Sequence, residues 1–229
     1  MLADLSEQLS AAVLTTARLR ELPRNQILFS QGDKSSAVYA VISGSLRLVQ
    51  HTLDGQDVTL SVFAPGELIG LGVAVSGEDY PGACEASDDS EVLVIPLTTF
   101  RTLLSQHAPL SFKLLSVLVN RLHDAHERIR ELSSERVERR IARAILRLAN
   151  KVGIKTDTGI KIDMPLSRQD LAEMCGTTLH TASRILSEWQ RAGLVDLGRE
   201  QVTVTRPHDL VLIAEELNTN ATSDHKKPT

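Results

Sequence analysis

Apolar side chains recur at helical spacing in residues 178–191. Four of them share one stripe of a 3.6-residue repeat, the pattern of a helix that packs on a core: Ala182, Ile185, Leu186 and Trp189. The preceding residues 165–175, PLSRQDLAEMC, predict a shorter helix in which Ser167 and Asp170 have the spacing of a capping box. Gly176 lies between the two helices. This arrangement predicts a helix-turn-helix, whose second helix enters the major groove of DNA.

A second apolar stripe runs along the helical stretch near the middle of the chain. Six positions recur at alternating intervals of three and four, the seam of a coiled coil: Leu115, Leu118, Leu122, Ala125, Ile129 and Leu132. Two such helices would pair into a homodimer; the alternative is one long helix lying on its own β-domain. A two-fold axis along the helix would place two recognition helices in major grooves ~34 Å apart, so the DNA target would be an inverted repeat.

The front half of the chain alternates apolar and polar residues as β-strands do. LRLVQH and QDVTLSVF flank a hairpin turn at Leu53-Asp54-Gly55, and EVLVIPL supplies another strand. Regularly spaced glycines predict a small barrel or jelly roll in this half. Residues 98–110 predict short helical turns that lead into the long helix.

The back half is predicted to be helical, with a small β-hairpin. Residues 136–150 predict the first helix of the DNA-binding domain, and residues 133–136 are the candidate hinge. GLVDLGREQVTVTRP predicts two short strands around Gly198, which would make the helix-turn-helix a winged one. The last dozen residues, rich in Asn, Thr, Ser and Lys, have the composition of a disordered tail.

Composition and charge narrow the class of protein. The 229 residues are 42% hydrophobic, yet no apolar run approaches the ~20 residues that span a bilayer, so we expect a soluble protein. No secretory signal is visible, and two distant cysteines favour reduced thiols in the cytoplasm. The net charge of −4 belongs to residues 1–120, with 7 basic against 13 acidic side chains; residues 121–217 have 16 against 15. A weakly basic DNA-binding half favours two correctly spaced recognition helices over nonspecific phosphate attraction.

These segments resemble the CRP/FNR family of bacterial transcription regulators. LSRQDLAEMCGTTLHTASRILSEWQRAGLV looks like the helix-turn-helix of the family, and residues 43–70, which end in PGELIG, resemble its cyclic-nucleotide-binding β-roll. The resemblance covers roughly residues 18–213 and implies an α+β fold with four parts. They are an effector-sensing β-roll at 1–108, a dimerisation helix at 109–134, a winged helix-turn-helix at 135–217 and a disordered tail at 218–229.

The family arrangement assigns DNA contacts to the outer face of the recognition helix. Arg184 is placed to donate two bonds to guanine, and Leu179 to touch a thymine methyl group. His180 stands where many members of the family have a glutamate, so the preferred base should differ there. The remaining candidates lie on or beside this face, and three of them, Thr178, Thr181 and Arg168, are better placed for phosphates; the others are Ser183 and Arg191.

The resemblance also allows the effector to be examined residue by residue. Members that bind cAMP have a glutamate for the ribose and an Arg-Ser pair for the phosphate, but the corresponding positions here are Leu71 and Pro81-Gly82. Ala125 replaces the usual threonine for the adenine. A buried cyclic phosphate without its arginine would be an uncompensated charge, so we expect no cAMP dependence. The candidate effector pocket is largely apolar: Leu68, Ile69, Leu71, Tyr80, Cys84, Arg121 and Ala125.

The cofactor is left open by the sequence. An iron–sulfur cluster needs four thiolates, which Cys84 and Cys175 cannot supply in one protomer. YPGA and GTTLHTASR are similar to the branch of the family that responds to nitric oxide and related nitrogen oxides, with haem as the proposed sensor. His123 or His126 would be the haem ligand, with the Cys84 thiolate as an alternative. Ordinary exposed histidines and a merely buried Cys84 are the competing interpretation, and Cys175 is assigned to packing.

The predicted function is therefore regulation of transcription. We expect a homodimer that couples an effector in the β-roll to an inverted repeat of double-stranded DNA, with RNA polymerase as a further partner. The alternative is the same fold binding DNA constitutively with a vestigial pocket. Enzymatic activity is not expected, because the seven histidines are dispersed and neither a nucleophile motif nor a phosphate-binding loop is present.

Overall fold

The computed structural model describes residues 16–53, 55 and 57–215. The chain divides into two compact units between Ile129 and Arg130. Within the described residues, no helix is both long enough and apolar enough to cross a membrane. The tail at 218–229 lies outside the described residues, as does Asp54 of the hairpin turn.

The first unit is built on two four-stranded antiparallel sheets. One sheet has the strand order β1-β8-β3-β6 and the other β2-β7-β4-β5. The strands, in chain order, are β1 Arg18–Leu22, β2 Ile27–Phe29, β3 Ala37–Ser43, β4 Leu46–His51, β5 Asp57–Phe63, β6 Leu68–Ile69, β7 Ala83–Ala86 and β8 Ser90–Pro96. The pairing of β4 with β5 agrees with the hairpin predicted from the alternating pattern.

Two apolar clusters cover opposite faces of the first sheet. Successive residues of a strand point to opposite faces, so Tyr39 and Val41 of β3 pack inside the roll while Val38 and Ala40 pack outside it. The inner cluster contains the stacked rings of Phe29 and Tyr80, whose centroids are 3.7 Å apart. The cluster inside the roll, with Tyr39 and Val41, is the inner cluster, and the one outside it, with Val38 and Ala40, is the outer cluster.

Three helices follow or interrupt these strands: α1 Leu71–Ser76, α2 Leu97–Gln106 and α3 Ala108–Ser134, whose residues from Arg130 onward belong to the second unit. The predicted short turns before the long helix α3 are a full helix, α2, because Phe100 and Leu103 pack into the outer cluster at helical spacing. Leu110 and Leu114 of α3 complete the same cluster. The first turns of the long helix are therefore held on the sheet by apolar contacts.

The second unit combines helices with a four-stranded sheet of order β11-β12-β10-β9. Its elements are α4 Val137–Val152, β9 Gly153–Thr156, β10 Gly159–Ile162, α5 Arg168–Met174, α6 Leu179–Arg191, β11 Val195–Gly198, β12 Gln201–Val204 and α7 Pro207–Glu215. The predicted helix-turn-helix is α5 and α6, and the predicted wing is β11 and β12. The β9–β10 hairpin and α7 were not predicted. The hairpin extends the wing into a sheet, since β10 pairs with β12.

Candidate nucleic-acid interface and effector region

Capping interactions fix where both helices of the helix-turn-helix begin. The Ser167 hydroxyl accepts a hydrogen bond from the Asp170 amide at 3.1 Å, and the Asp170 carboxylate accepts one from the Ser167 amide at 2.7 Å. Thr178 caps the recognition helix α6 by accepting from the Thr181 amide at 3.2 Å. The capping box occurs where the sequence predicted it, and in both helices short hydroxyl or carboxylate side chains satisfy amides that a first helical turn leaves unpaired.

The recognition helix has one buried face and one exposed face. The buried side chains are those of the predicted stripe: Ala182, Ile185, Leu186 and Trp189. On the opposite face, His180, Arg184 and Arg191 are exposed. Leu179, in the first turn beside the buried stripe, is 47% exposed. An exposed leucine beside cationic side chains has the chemistry to meet base edges and phosphates together.

The other predicted DNA-binding residues border this face. Thr178 is exposed, while Thr181 and Ser183 are partly buried. Arg168, at the start of α5, extends its Nη1 to 3.5 Å from the Ser187 hydroxyl of the recognition helix. The structure therefore brings the side chains of both helices to one surface.

Two features of this surface were missed from the sequence. Arg184 Nη1 donates to Glu188 Oε1 at 2.9 Å, so the predicted base-reading arginine is held by a carboxylate four residues later. A pocket of about 320 Å³ also opens between the start of α5, Leu179 and the wing residues 197–202. The i, i+4 spacing of Arg184 and Glu188 was a usable indication of the ion pair; the pocket depends on where the wing folds.

The exposed apolar stripe of the long helix differs from the predicted seam. Leu118 is partly buried against the outer cluster, because the helix turns that position toward its own sheet. Before Leu132, the exposed large apolar residues of this helix recur at intervals of three and four and then after a longer gap: Phe112, Leu115, Val119, Leu122 and Ile129. These five residues are called the exposed seam; Phe112 and Val119 were not predicted. Ala125 is exposed beside them.

Leu132, the last residue of the predicted seam, belongs to the second unit and lies beside the turn between α5 and α6. It is 51% exposed, and its Cδ2 would lie 2.9 Å from a Cβ atom added to Gly176 in the turn between α5 and α6. Gly176 has a φ of 56° in the left-handed region. A side chain there would be strained and would press on Leu132, which explains the glycine.

The candidate effector residues do not line one common pocket. Leu68 and Leu71 belong to the outer cluster, with α2 and the long helix. Ile69, Tyr80 and Cys84 belong to the inner cluster, on the other side of the sheet. Neighbouring residues of strand β6 point to opposite faces of the sheet. The pocket predicted from the sequence therefore combined residues that belong to two separate apolar clusters.

Tyr80 is fixed as part of the core. Its hydroxyl donates to the Ala37 carbonyl at 2.8 Å, and its ring stacks on Phe29. The neighbouring Gly82 lies against β4, where an added Cβ would be 2.7 Å from the Val49 carbonyl oxygen. A serine at this position would require the backbone to move.

Arg121 contributes a polar group to this region from the long helix. Its Nη2 donates to the Leu68 carbonyl at 2.6 Å, and its guanidinium lies 5.3 Å from the centre of the Phe63 ring. Burial lowers the pKa of Arg121, although Glu67 and Asp124 act in the opposite direction. Two turns further along the helix, Arg128 donates to the Leu60 carbonyl at 2.6 Å. Both arginines fasten the long helix to the strands of its own unit.

Among the candidate haem ligands, Cys84 does not fit that role in this protomer. Cys84 is fully buried, and burial raises the pKa of its thiol, which disfavours the thiolate. His123 and His126 are exposed on the long helix, whereas Tyr80 and Leu71 are buried. Among the described residues, no three His, Cys, Asp or Glu side chains are grouped as a metal site would require. Cys175 is buried at the end of α5, in agreement with a packing role.

Comparison with known proteins identifies both halves of the chain. A model of the cyclic nucleotide-binding domain matches residues 19–107, and a model of the Crp-like helix-turn-helix domain matches residues 139–213. The chain is 30% identical over 185 residues to a cyclic AMP receptor protein of Thermus thermophilus, which covers 81% of this chain and 82% of that protein. It is 27% identical over 187 residues to the transcriptional activator protein FnrA of Stutzerimonas stutzeri, with coverages of 82% and 76%.

The fold is also found among solved structures. FixK2 from Bradyrhizobium japonicum superposes with a TM-score of 0.77 at 22% identity, over 86% of this chain and 97% of that chain. At this level of identity the match concerns the fold alone.

Proposed function

This chain belongs to the CRP/FNR family of DNA-binding transcription regulators, and we propose that it acts as a homodimer that couples an effector in its β-roll to binding of an inverted repeat. The observation that carries the proposal is the recognition helix, whose apolar face is buried and whose exposed face holds Leu179, His180 and Arg184. A guanidinium in this position can donate to both O6 and N7 of guanine. Contacts with RNA polymerase and a cytoplasmic location belong to the same proposal.

The exposed seam supports the dimer. Leu115, Leu122 and Ile129 are each more than half exposed, and leaving such a stripe in water is unfavourable. A second copy of the helix offers the complementary stripe, in which residues at alternating intervals interlock. With two copies, the two recognition helices can meet the two halves of an inverted repeat.

The proposal is tested by selecting DNA and by breaking the seam. Full-length protein is used to select duplexes from a random library, and we expect an inverted repeat. Leu122→Glu places two like charges in the symmetric seam, so sedimentation should show monomers at micromolar concentration and DNA affinity should fall by roughly 100-fold or more. Asn120→Glu adds the same charge at an exposed position off the seam and should leave both properties unchanged. A Leu122→Glu protein that stays dimeric would contradict the assignment of the seam.

We further propose that DNA binding does not depend on cAMP. Leu71, at the position of the ribose-binding glutamate, is fully buried in apolar surroundings, and Gly82, at the position of the phosphate-binding serine, packs on the Val49 backbone. Arg121 is the nearby cation, but it already donates to the Leu68 carbonyl. The ribose and the phosphate of cAMP would therefore lack the glutamate and the Arg-Ser pair that bind them in cAMP-binding members of the family.

The finer assignment to the nitric-oxide-responsive branch rests on the YPGA and GTTLHTASR segments. With haem as the sensor, the long-helix histidines would have to supply the ligand, since Cys84 does not fit. A visible spectrum of protein purified with haem present, before and after nitric oxide, tests this branch. A spectrum without a haem band would remove it and leave the DNA-binding regulator intact.

Constitutive DNA binding is the second candidate function. It is favoured by the dense packing of Leu71, Tyr80 and Cys84, each of which is at most 3% exposed. In this case, protein unfolded and refolded without any small molecule should bind the selected repeat as tightly as protein taken directly from cells. A weaker refolded protein that cell extract restores would favour the effector-dependent function.

A further inference from the structure

Two buried carboxylates lie where the long helix ends. Glu131 is in the last turn of the long helix, and Glu135 is the first residue after the helix. Their side chains are only 5% and 2% exposed. Arg147 Nη1 lies 2.6 Å from Glu131, and Arg130 Nη1 lies 2.8 Å from Glu135. A carboxylate this deeply buried is stable only when it is paired, so both residues depend on these contacts.

The partners come mainly from α4, the first helix of the DNA-binding unit. Arg143 reaches both carboxylates, with its Nε 3.3 Å from Glu135 and its Nη1 4.0 Å from Glu131. Arg139 is 3.9 Å from Glu135. Arg139 and Arg143 also direct their Nε atoms to the Ala214 carbonyl of α7, at 3.3 and 3.2 Å. The end of the long helix is thus ion-paired to a helix that is itself bound within the second unit.

Arg140 connects this segment to the turn of the helix-turn-helix. Its Nη1 donates to the Leu132 carbonyl at 3.2 Å, and its Nη2 donates to the Gly176 carbonyl at 3.3 Å. The Leu132 side chain contacts the same glycine. One guanidinium therefore joins the last turn of the long helix to the residue that precedes Thr177 and the cap of the recognition helix. A lysine could not bridge two carbonyls with the same fixed geometry.

We infer that residues 130–135 move with the DNA-binding unit, and that Arg140 is a positioning residue that fixes the recognition helix relative to the end of the long helix. The candidate hinge at 133–136 is then part of a fixed junction, because Glu131 and Glu135 are both ion-paired to α4. This inference rests on the proposed function. In a dimer, a fixed junction would let the long helices set the distance between the two recognition helices, and so the half-site spacing that the protein accepts.

Half-site spacing is therefore the property to measure. The probes are the inverted repeat selected by the wild-type protein, the same duplex with one base pair inserted or removed between the half-sites, and a single half-site. We expect the wild-type protein to prefer the selected spacing by roughly tenfold or more, since one base pair changes both distance and angle. Arg140→Lys should keep half-site affinity within about twofold but reduce this preference by roughly fivefold.

Arg136→Lys is the matched control. Arg136 is exposed four residues earlier and does not take part in the two carbonyl contacts, so this variant should keep the wild-type preference. Arg140→Met removes the charge as well and should lose spacing preference to at least the same extent. Trp189 fluorescence shows whether each variant is folded, since this tryptophan is buried in the second unit.

The results separate the inference from the proposed function. If the wild-type protein selects no inverted repeat, the proposed function fails. If it does, and Arg140→Lys weakens every duplex by one common factor or keeps the full spacing preference, Arg140 has only a stabilising role and the inference is wrong. Amide exchange gives a second measurement on the wild-type protein: residues 130–135 should exchange as slowly as α4, and fast exchange there would overturn the inference.

Discussion

The recognition surface and the candidate effector residues were both assigned from the same family resemblance, but the fold treats them differently. Leu179, His180 and Arg184 lie on the exposed face of one helix. The seven effector candidates are divided between two apolar clusters and the long helix. A surface that contacts DNA can be deduced from one amphipathic helix, whereas a pocket requires side chains from several elements to face one space.

The largest difference between the two regions should appear in stability. Leu71→Ala removes a fully buried side chain from the outer cluster and should destabilise the first unit by about 2–5 kcal/mol. Leu179→Ala, the matched change on the recognition surface, should cost well under ~1 kcal/mol, because Leu179 is exposed.

The two units can be followed separately in this experiment. Both tyrosines, Tyr39 and Tyr80, lie in the first unit, and the single tryptophan, Trp189, lies in the second. In Leu71→Ala, the unfolding midpoint followed by near-ultraviolet circular dichroism of the tyrosines should fall. The midpoint followed by Trp189 fluorescence should stay unchanged. An equally stable Leu71→Ala protein would mean that Leu71 lines a space rather than filling the core, and would restore the predicted pocket wall.

The second largest effect is expected in base discrimination by the recognition helix. Arg184→Ala should lose about 1–3 kcal/mol of discrimination against a half-site whose guanine is replaced. Arg168→Ala is the charge-matched control and should weaken the two half-sites equally, as a phosphate contact does. Fluorescence anisotropy with both duplexes measures each ratio. If Arg184→Ala discriminates as well as the wild-type protein, the base contact belongs to another residue.

The third effect concerns the thiol of Cys84. Its pKa is raised above the ordinary value of 9.0 by burial, so it stays neutral in the folded protein while the unfolded thiol ionises. The resulting stability is fully present below about pH 9 and is lost at higher pH, by roughly 1 kcal/mol per pH unit. Denaturant unfolding at pH 8 and pH 10 should show this additional loss in the wild-type protein but not in Cys84→Ala. Equal losses in both proteins would indicate an accessible, ionisable thiol.

The smallest expected effect is that of cAMP. At millimolar cAMP, affinity for the selected repeat should change by less than about twofold, because a ligand shifts a conformational equilibrium only through differential binding. Calorimetry of the same sample should show no binding. Tight cAMP binding with a matching gain in DNA affinity would contradict the interpretation of Leu71 and Gly82, and would make the two regions alike as functional sites.

Local sequence patterns were sufficient for the recognition surface. The capping box at Ser167 and Asp170, the cap at Thr178 and the stripe ending at Trp189 all depend on residues within a few turns of one another. The same holds for the β4–β5 hairpin. Helical and strand periodicity report which side of an element is apolar, and in these elements one side alone is buried.

The long helix shows where periodicity stops being sufficient. Its apolar residues cover more than one stripe, and the sequence gives no means of telling which stripe faces the sheet of its own protomer. Leu114 and Leu118 were taken by the outer cluster, which left Phe112, Leu115, Val119 and Leu122 exposed. Which stripe packs on the sheet depends on where α2 and β3 lie, and both are distant in sequence from the end of the helix.

The sequence by itself determined the helix-turn-helix, the wing strands, the roll hairpin and the residues that face outward from the recognition helix, because each depends on neighbours along the chain. It also contained acidic and basic side chains at every fourth position: Glu131, Glu135, Arg139, Arg143 and Arg147. Only the tertiary structure decided that the two carboxylates are buried and paired with arginines of α4, since Glu131 meets Arg147 sixteen residues away after the chain has turned. The tertiary structure likewise divided Leu68 from Ile69, because adjacent strand residues reach different cores once a sheet is covered on both faces.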